Sequence, residues 1–406
     1  MGKSNSFSGQ PIFSQLLRLL PKGRISLIIK KFDADRYCKK FYTWEHLVTM
    51  LYGCYQACTS LREVSTGMRA CGGRLQHLAL KIYPCRSTLS DANKRRSHLV
   101  FEEIFNEAYR HLSKFLPDTR IVKGDILHKL FIIDSTTITL FKDILKAAGR
   151  PPKAGKQKGG VKVHTMINAG EDVPSVVRIT PSVTNDSKFF KFLHRLKPGS
   201  IAVFDKGYNG FYQLIKLTEK GVKWVTRQRS NSIVTVISQR SISKKARQNG
   251  ILKDEHIIMG HKNKKDKFKC RRVTYHDLAT NRTFEFITNE FKSNPLQIAD
   301  IYKQRWQIEI LFRRLKQNMQ LDYFLGDNEN AIKLQIWCTL IADLLLKVAT
   351  FGQKRKWSFS NLASFVRLHL MNYTDLKKYL SQPDKTPIYN PSPHEKSQLK
   401  FNFGCT

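Results

Sequence analysis

Three acids in this chain sit where an acid needs a reason. Asp134 lies inside LFIIDSTTITLF (130–141), a β-branched apolar run with no counter-charge within several residues. Asp205 ends IAVFD (201–205), a second apolar run. Glu309 is the single carboxylate of IYKQRWQIEILFRRLKQN (301–318), which carries five cations. Acids are rarely buried without a partner. Two strand carboxylates and a helical one suit divalent metal. Mg²⁺ typically takes one or two carboxylates plus phosphate oxygens and water. Two such ions about 4 Å apart can activate a water or a 3′-hydroxyl and stabilise the leaving oxygen. Singly, each Asp also reads as a strand-end or turn residue. Glu309 also reads as a solvated partner of Arg305 and Arg313 at i±4.

The elements that must position these acids follow from periodicity. At about 100° per residue, Tyr302, Arg305, Trp306, Glu309, Arg313 and Lys316 share one stripe of a helix, beside an apolar stripe of Ile301, Ile308, Phe312 and Leu315. Residues 130–141, 161–168, 173–181, 201–205 and 222–226 read as strands. NDSKFFKFLHRLK (185–197) and the stretch after Gly207 read as helices, so the order is α/β with a mixed sheet. Residues 227–292 look strand-rich, with no helix evident. Residues 1–125 carry apolar positions at three- and four-residue spacing and read as a helical domain. Within it, a short helix (74–82), a break at Pro84 and a basic segment (87–97) resemble a helix-turn-helix, with Arg86, Lys94, Arg95 and Arg96 facing DNA or merely a wet surface. The loop 146–160 has five cations and no acid, and either grips a DNA backbone or is a solvated hairpin.

The chain has 70 Lys plus Arg against 32 Asp plus Glu, a formal charge of +38 spread along its length. That excess calls for a polyanion, and 41% hydrophobic residues call for a fold around it. The longest apolar stretch, 334–350, is broken by Asp343 and Lys347 and reads as a core helix, not a membrane span. No secretory leader is evident, and MGKSNS fits an acylation pattern too short to weigh. Eight cysteines fit no disulfide framework, and the gaps among Cys54, Cys58, Cys71 and Cys85 match no standard zinc motif. The expected setting is a reducing cytoplasm.

Asp134 in a DST block, Asp205-Lys206-Gly207-Tyr208 in a DxGY block, and Tyr302-x2-Arg305-x3-Glu309-x6-Lys316 together resemble the DDE transposases of the insertion-sequence-four family. Lys206 stands where Arg is common, which keeps the charge. The resemblance covers most of the chain. It implies an RNase H-like catalytic core (126–226 and 293–321) with a β-rich insertion (227–292), flanked by a helical DNA-binding region (1–125) and a helical C-terminal region with a polar tail (322–406). By the same resemblance Asp134, Asp205 and Glu309 are catalytic metal ligands for two Mg²⁺ or Mn²⁺ ions. Tyr302, Arg305 and Lys316 would hold phosphates of the transposon end. Trp306, on the same face, stacks on a base or packs into the core. Arg313, Lys206, Tyr208, Lys162 and His164 join the expected DNA contacts, His164 as a strand-face residue near the metal. Relatives bind double-stranded DNA ends as a homodimer and cut in trans. Those that form hairpins hold a flipped base on an aromatic of the insertion, for which Trp224, Phe284 and Phe286 are candidates, with packing into the core as the other role for each. Two other readings remain open: an RNase H-like nuclease without strand joining, and a domesticated, non-catalytic DNA-binding protein.

Overall fold

The computed structural model describes residues 9–116, 129–139 and 160–385, apart from Lys81, Val183, Asn185, Asn209, Asn231, Lys262, Asn263, Asp322 and Lys354. The basic loop 146–160, save Gly160, and the tail from 386 lie outside the described residues.

The N-terminal region is helical: α1 Ile12–Leu17, α2 Lys22–Lys31, α3 Thr43–Tyr55, α4 Leu61–Ala70, α5 Arg86–Arg95 and α6 His98–Leu112, with a 3₁₀ turn at Gly72–Leu78. The side chain of Ser60 caps α4 by accepting the Glu63 amide, a cap that spares one orphan donor. Helix α3 is buried on nearly every face, which explains its continuous run of Leu, Val, Met and Tyr. Cys54 and Cys58 lie in that core.

Among the described residues nine strands, numbered along the chain, form one sheet in the order β3-β2-β1-β4-β5-β9-β8-β7-β6. The first five are β1 Leu130–Thr139, β2 Gly160–Asn168, β3 Pro174–Pro181, β4 Ile201–Phe204 and β5 Lys223–Arg227, with α7 Phe211–Glu219 between the last two. Strand β2 runs antiparallel to β1 and β3, whereas β1, β4 and β5 are parallel. This is the order of an RNase H-like core. The second group is β6 Ile233–Gln239, β7 Ile251–His261, β8 Lys264–Asp277 and β9 Arg282–Thr288. These strands do not make a separate sheet: β9 pairs antiparallel with β5 and extends the core, covering what would be an open edge. A short helix α8, Lys244–Gln248, interrupts them. It was invisible in the sequence because four polar residues around the single small apolar Ala246 carry no periodicity. The segment expected as a helix at 185–197 is a 3₁₀ helix, Asp186–Arg195. Phe189, Leu193 and Leu196 do point inward, but so short a run cannot separate three residues per turn from 3.6.

The C-terminal helices are α9 Pro295–Lys303, α10 Trp306–Met319, α11 Glu329–Ala349, α12 Phe359–His369 and α13 Leu376–Ser381. The apolar stretch 334–350 is core helix α11, and no described helix is long and apolar enough to cross a membrane. Alternation along β1 divides the interior. Ile132 and Ile138 join a core shared with the helices, while Ile133 joins a second core under the opposite face with Phe204, Tyr208 and Trp224.

Candidate active site

Asp134 and Asp205 are neighbours by register. Ile133 pairs with Phe204 across the parallel β1–β4 ladder, so the next residue of each strand direction is an aspartate. Asp134 shares its face with Ile132, the face on which α10 packs.

The stripe 301–318 is not one helix. Helix α9 stops at Lys303, and α10 starts at Trp306. Between them the amide of Arg305 donates to the carbonyl of Tyr302 at 3.1 Å, and that of Ile308 to Arg305 at 3.3 Å, both three residues back. This tightened turn aims two side chains at different strands. The Tyr302 hydroxyl donates to Asp205 at 3.2 Å, and its ring lies 4.6 Å from that of Phe286 on β9. The Arg305 guanidinium pairs with Asp134 through Nη1 and with Glu309 through Nη2, the latter at 2.8 Å. One turn-and-helix therefore brings the cation, the third acid and the tyrosine over the middle of β1 and the end of β4. Further along α10, Lys316 reaches the Thr137 carbonyl of β1 at 3.4 Å.

The electrostatics are those of crowded acids. Burial pushes the Asp134 carboxyl up to about 6. The Arg305 charge and the Ser135 amide, 2.8 Å away, oppose that rise, while repulsion from Asp205 and Glu309 adds to it. Burial raises the Tyr302 hydroxyl, and the Asp205 charge raises it further, so it remains a neutral donor. Among the described residues no three acid, His or Cys side chains are already arranged as a metal cage; the carboxylates lean on Arg305 and Tyr302 instead. The donor set nevertheless fits a hard cation: three carboxylates, one of them held above its usual range by burial, with repulsion from the other two adding to it.

The remaining expected residues divide by position. Trp306 is half exposed at the start of α10, and Arg313 and Lys206 are exposed. Lys162, His164 and Tyr208 are not on the acid face. They surround Asp186 beneath the sheet, with Lys162 Nζ 3.2 Å from its carboxylate and His164 Nδ1 3.3 Å from the Tyr208 hydroxyl. Burial lowers His164 to about 4, so it is neutral. In the helical domain, Arg86 and Arg95 are exposed, but Arg96 is not available to DNA. Its guanidinium donates to the Phe41 carbonyl at 2.8 Å and to Cys38 at 3.2 Å, tying the 34–41 loop to the end of α5. Of the three candidate aromatics, Trp224 and Phe286 are buried, whereas Phe284 is half-buried with the Arg227 guanidinium 5.1 Å above its ring.

Sequence reasoning missed Arg314. Adjacent to Arg313 but buried, it donates to Asp172 at 2.5 Å and to Asp343 of α11 at 3.0 Å, anchoring the rear of α10. A helical wheel gives no signal for it, since at about 100° per residue Arg314 falls roughly 100° from Leu315, the nearest residue of the apolar stripe. It also missed Asp186, read only as part of a helix start.

Two strand aspartates and a helical glutamate on one face of an RNase H-like sheet define the DDE class of polynucleotidyl transferases. The model of the transposase DDE domain matches residues 126–345, and that of a domain of unknown function (DUF4372) matches residues 8–81. A putative transposase, y4zB, of Sinorhizobium fredii is 30% identical over 79% of this chain and 86% of its own length. A putative transposase for insertion sequence element IS4SA of Synechocystis is 28% identical over 64% of this chain and 71% of its own. Among solved structures, a piggyBac transposase synaptic complex with hairpin DNA is similar over 96% of this chain and 87% of that one, at 13% identity and a TM-score of 0.41. The chain belongs to the insertion-sequence DDE transposases, in the insertion-sequence-four family. It is a transposase that depends on divalent metal.

Proposed function

We propose that this transposase binds the terminal inverted repeats of its own insertion sequence and moves it by cut-and-paste. Asp134, Asp205 and Glu309 would hold two Mg²⁺ or Mn²⁺ ions. Bound there, such ions would activate the attacking oxygen and stabilise the leaving one. The observation that carries the reading is the Arg305 bridge: one guanidinium meets acids from mid-β1 and from α10.

The chain's own residues supply position and charge. Arg305 offers a planar fork that fits a phosphate as well as a carboxylate, and Lys316 a point charge further along α10. Tyr302 orients Asp205 through its hydroxyl. Arg313, Trp306 and Lys206, exposed around the acids, extend the DNA contact. In the first step a water oxygen bonds to phosphorus at the element end, the P–O3′ bond breaks, and a 3′-hydroxyl and a 5′-phosphate result. That hydroxyl then attacks the opposite-strand phosphorus, whose bond to the flanking 3′-oxygen breaks; a hairpin closes the element end, the flanking DNA leaves with a 3′-hydroxyl, and a second water hydrolyses the hairpin phosphodiester to restore the 3′-hydroxyl before the end joins target DNA. Phe284, under Arg227, is the aromatic most open to a displaced base. Residues 1–125 would provide end recognition and a homodimer would pair two ends, in a bacterial-type cytoplasm beside the nucleoid.

The test is incubation of the protein with DNA carrying the ends of its element and Mg²⁺ or Mn²⁺, beside Asp134→Asn and Glu309→Gln. Metal-dependent cleavage at the boundary, lost in both variants while end binding persists, supports the reading, and a hairpin band supports its pathway. Cleavage without joining would favour a nuclease. Specific binding without cleavage would favour a domesticated DNA-binding protein.

A further inference from the structure

A fourth acid sits on the reverse side of the sheet from the three just described. Asp186 accepts from the Ser135 hydroxyl at 3.0 Å and from Lys162 at 3.2 Å, and His164 Nδ1 lies 3.5 Å away. Lys162 also donates to the Thr184 carbonyl at 3.2 Å, and His164 Nε2 meets the Thr180 hydroxyl at 3.0 Å while its ring stacks on Phe189. The group is therefore fixed from β1, β2, β3 and the 3₁₀ segment at once.

Its two contacts with the catalytic strands are specific. Ser135 follows Asp134, and the Ser135 amide donates to the Asp134 carboxylate at 2.8 Å. Gly207 follows Asp205 by two residues, and a Cβ built there would lie 3.2 Å from Asp186 Oδ2. The same turn is closed by the Tyr208 amide donating to the Asp205 carbonyl at 3.0 Å, and the Tyr208 hydroxyl meets His164. One carboxylate thus touches the residue after one catalytic acid and packs against the turn after the other, without facing the acid site itself.

We propose that Asp186 is a positioning residue that sets the separation of Asp134 and Asp205, and with it the affinity of the site for divalent metal. The inference rests on the DDE reading above. Parallel strands β1 and β4 are joined by ladder bonds only as far as Ile133 and Phe204, so the acids lie just beyond the ladder. Asp186 grips both chains at that point, from behind. Loss of an outer partner of a metal ligand typically weakens metal binding about 10- to 100-fold.

The experiment compares Asp186→Ala, Asp186→Asn and Ser135→Ala with the unaltered protein. Mn²⁺ binding is followed by the electron paramagnetic resonance of the free ion, and cleavage of element-end DNA is followed across a Mg²⁺ titration. Asp186→Ala is expected to weaken Mn²⁺ binding by at least about tenfold and to move half-maximal cleavage to higher Mg²⁺, with end-DNA affinity unchanged. Asp186→Asn, which keeps the acceptor for Ser135, recovers most of that loss, and Ser135→Ala shows a smaller shift in the same direction. If Asp186→Ala fails to fold, Ser135→Ala decides alone. Unchanged Mn²⁺ affinity in the folded variants overturns the inference. If the unaltered protein binds Mn²⁺ but does not cleave, the transposase reading fails while the Mn²⁺ comparison still tests Asp186.

Discussion

Arg305 ion-pairs with Asp134 across 171 positions of sequence, and the same guanidinium holds Glu309 four residues on. A strand acid and a helix acid are thereby held to one cation, at a turn tightened to direct it. Replacing that fork by a point charge or an amide removes geometry as well as charge. Arg305→Gln is expected to slow single-turnover cleavage by about 10²-fold or more, the scale of losing one preorganised donor. Arg305→Lys should recover only part of it. Equal rates for Lys and Arg would mean that the fork is not used.

The pH dependence of stability follows from Asp134. Its folded value, about 6, lies above the ordinary carboxylate value of 3.8, so the folded protein holds a proton there that the unfolded chain has released. Stability from this group is fully present below about pH 4 and is lost as pH rises through 6. The difference between 3.8 and about 6 corresponds to at most about 3 kcal/mol. In chelator, Asp134→Asn should therefore melt above the unaltered protein at pH 8 and level with it near pH 4. An equal or lower midpoint at pH 8 would contradict the assignment. A higher midpoint would mean that an acid proposed as catalytic destabilises the fold that carries it.

Arg314 allows a test of how α10 is anchored. Asp343 is fully buried, and burial raises its carboxyl while Arg314 and Lys347 hold it down. Removing the cation strands a buried charge. Arg314→Met should cost about 3–5 kcal/mol, and adding Asp343→Leu should restore most of it, since an apolar pair of similar volume replaces a buried ion pair at little cost. Denaturant midpoints of the two variants decide. A double variant no more stable than the single one would mean that the pair does more than satisfy itself.

The acids and their strands were legible because each is a local contradiction: an aspartate in a β-branched run, a glutamate in a cationic stripe. The parallel order of β1, β4 and β5 follows from alternation of strand and helix. What could not be read is what depends on contacts across the sheet. Nothing in the local sequence of NDSK shows that Asp186 reaches Ser135 fifty-one residues earlier. The break at Gln304 and Arg305 escaped for a similar reason. A wheel assumes constant pitch, while the turn there is set by Tyr302 reaching Asp205 on one side and Arg305 reaching Asp134 on the other. That β9 extends the core sheet was hidden too, because strand propensity does not name a strand's partner.

Three arginines that looked alike in the sequence now separate into two kinds, which gives the last prediction. Arg86 and Arg95 are exposed on α5, Arg95 in a surface pair with Asp91 at 2.8 Å. Arg96 is buried, bonded to the carbonyls of Ala34 and Phe41. If α5 contacts DNA phosphates, each exposed arginine releases about one counterion on binding. Arg95→Ala should then reduce the slope of log affinity against log salt by about one, with the thermal midpoint nearly unchanged. Arg96→Ala should do the reverse. It leaves two carbonyls without their donor, costs about 1–3 kcal/mol of stability, and at temperatures where the fold persists leaves the salt slope as it was. An Arg96 variant that alters the slope as Arg95 does would mean that the 34–41 loop opens when DNA binds, freeing that guanidinium for a phosphate.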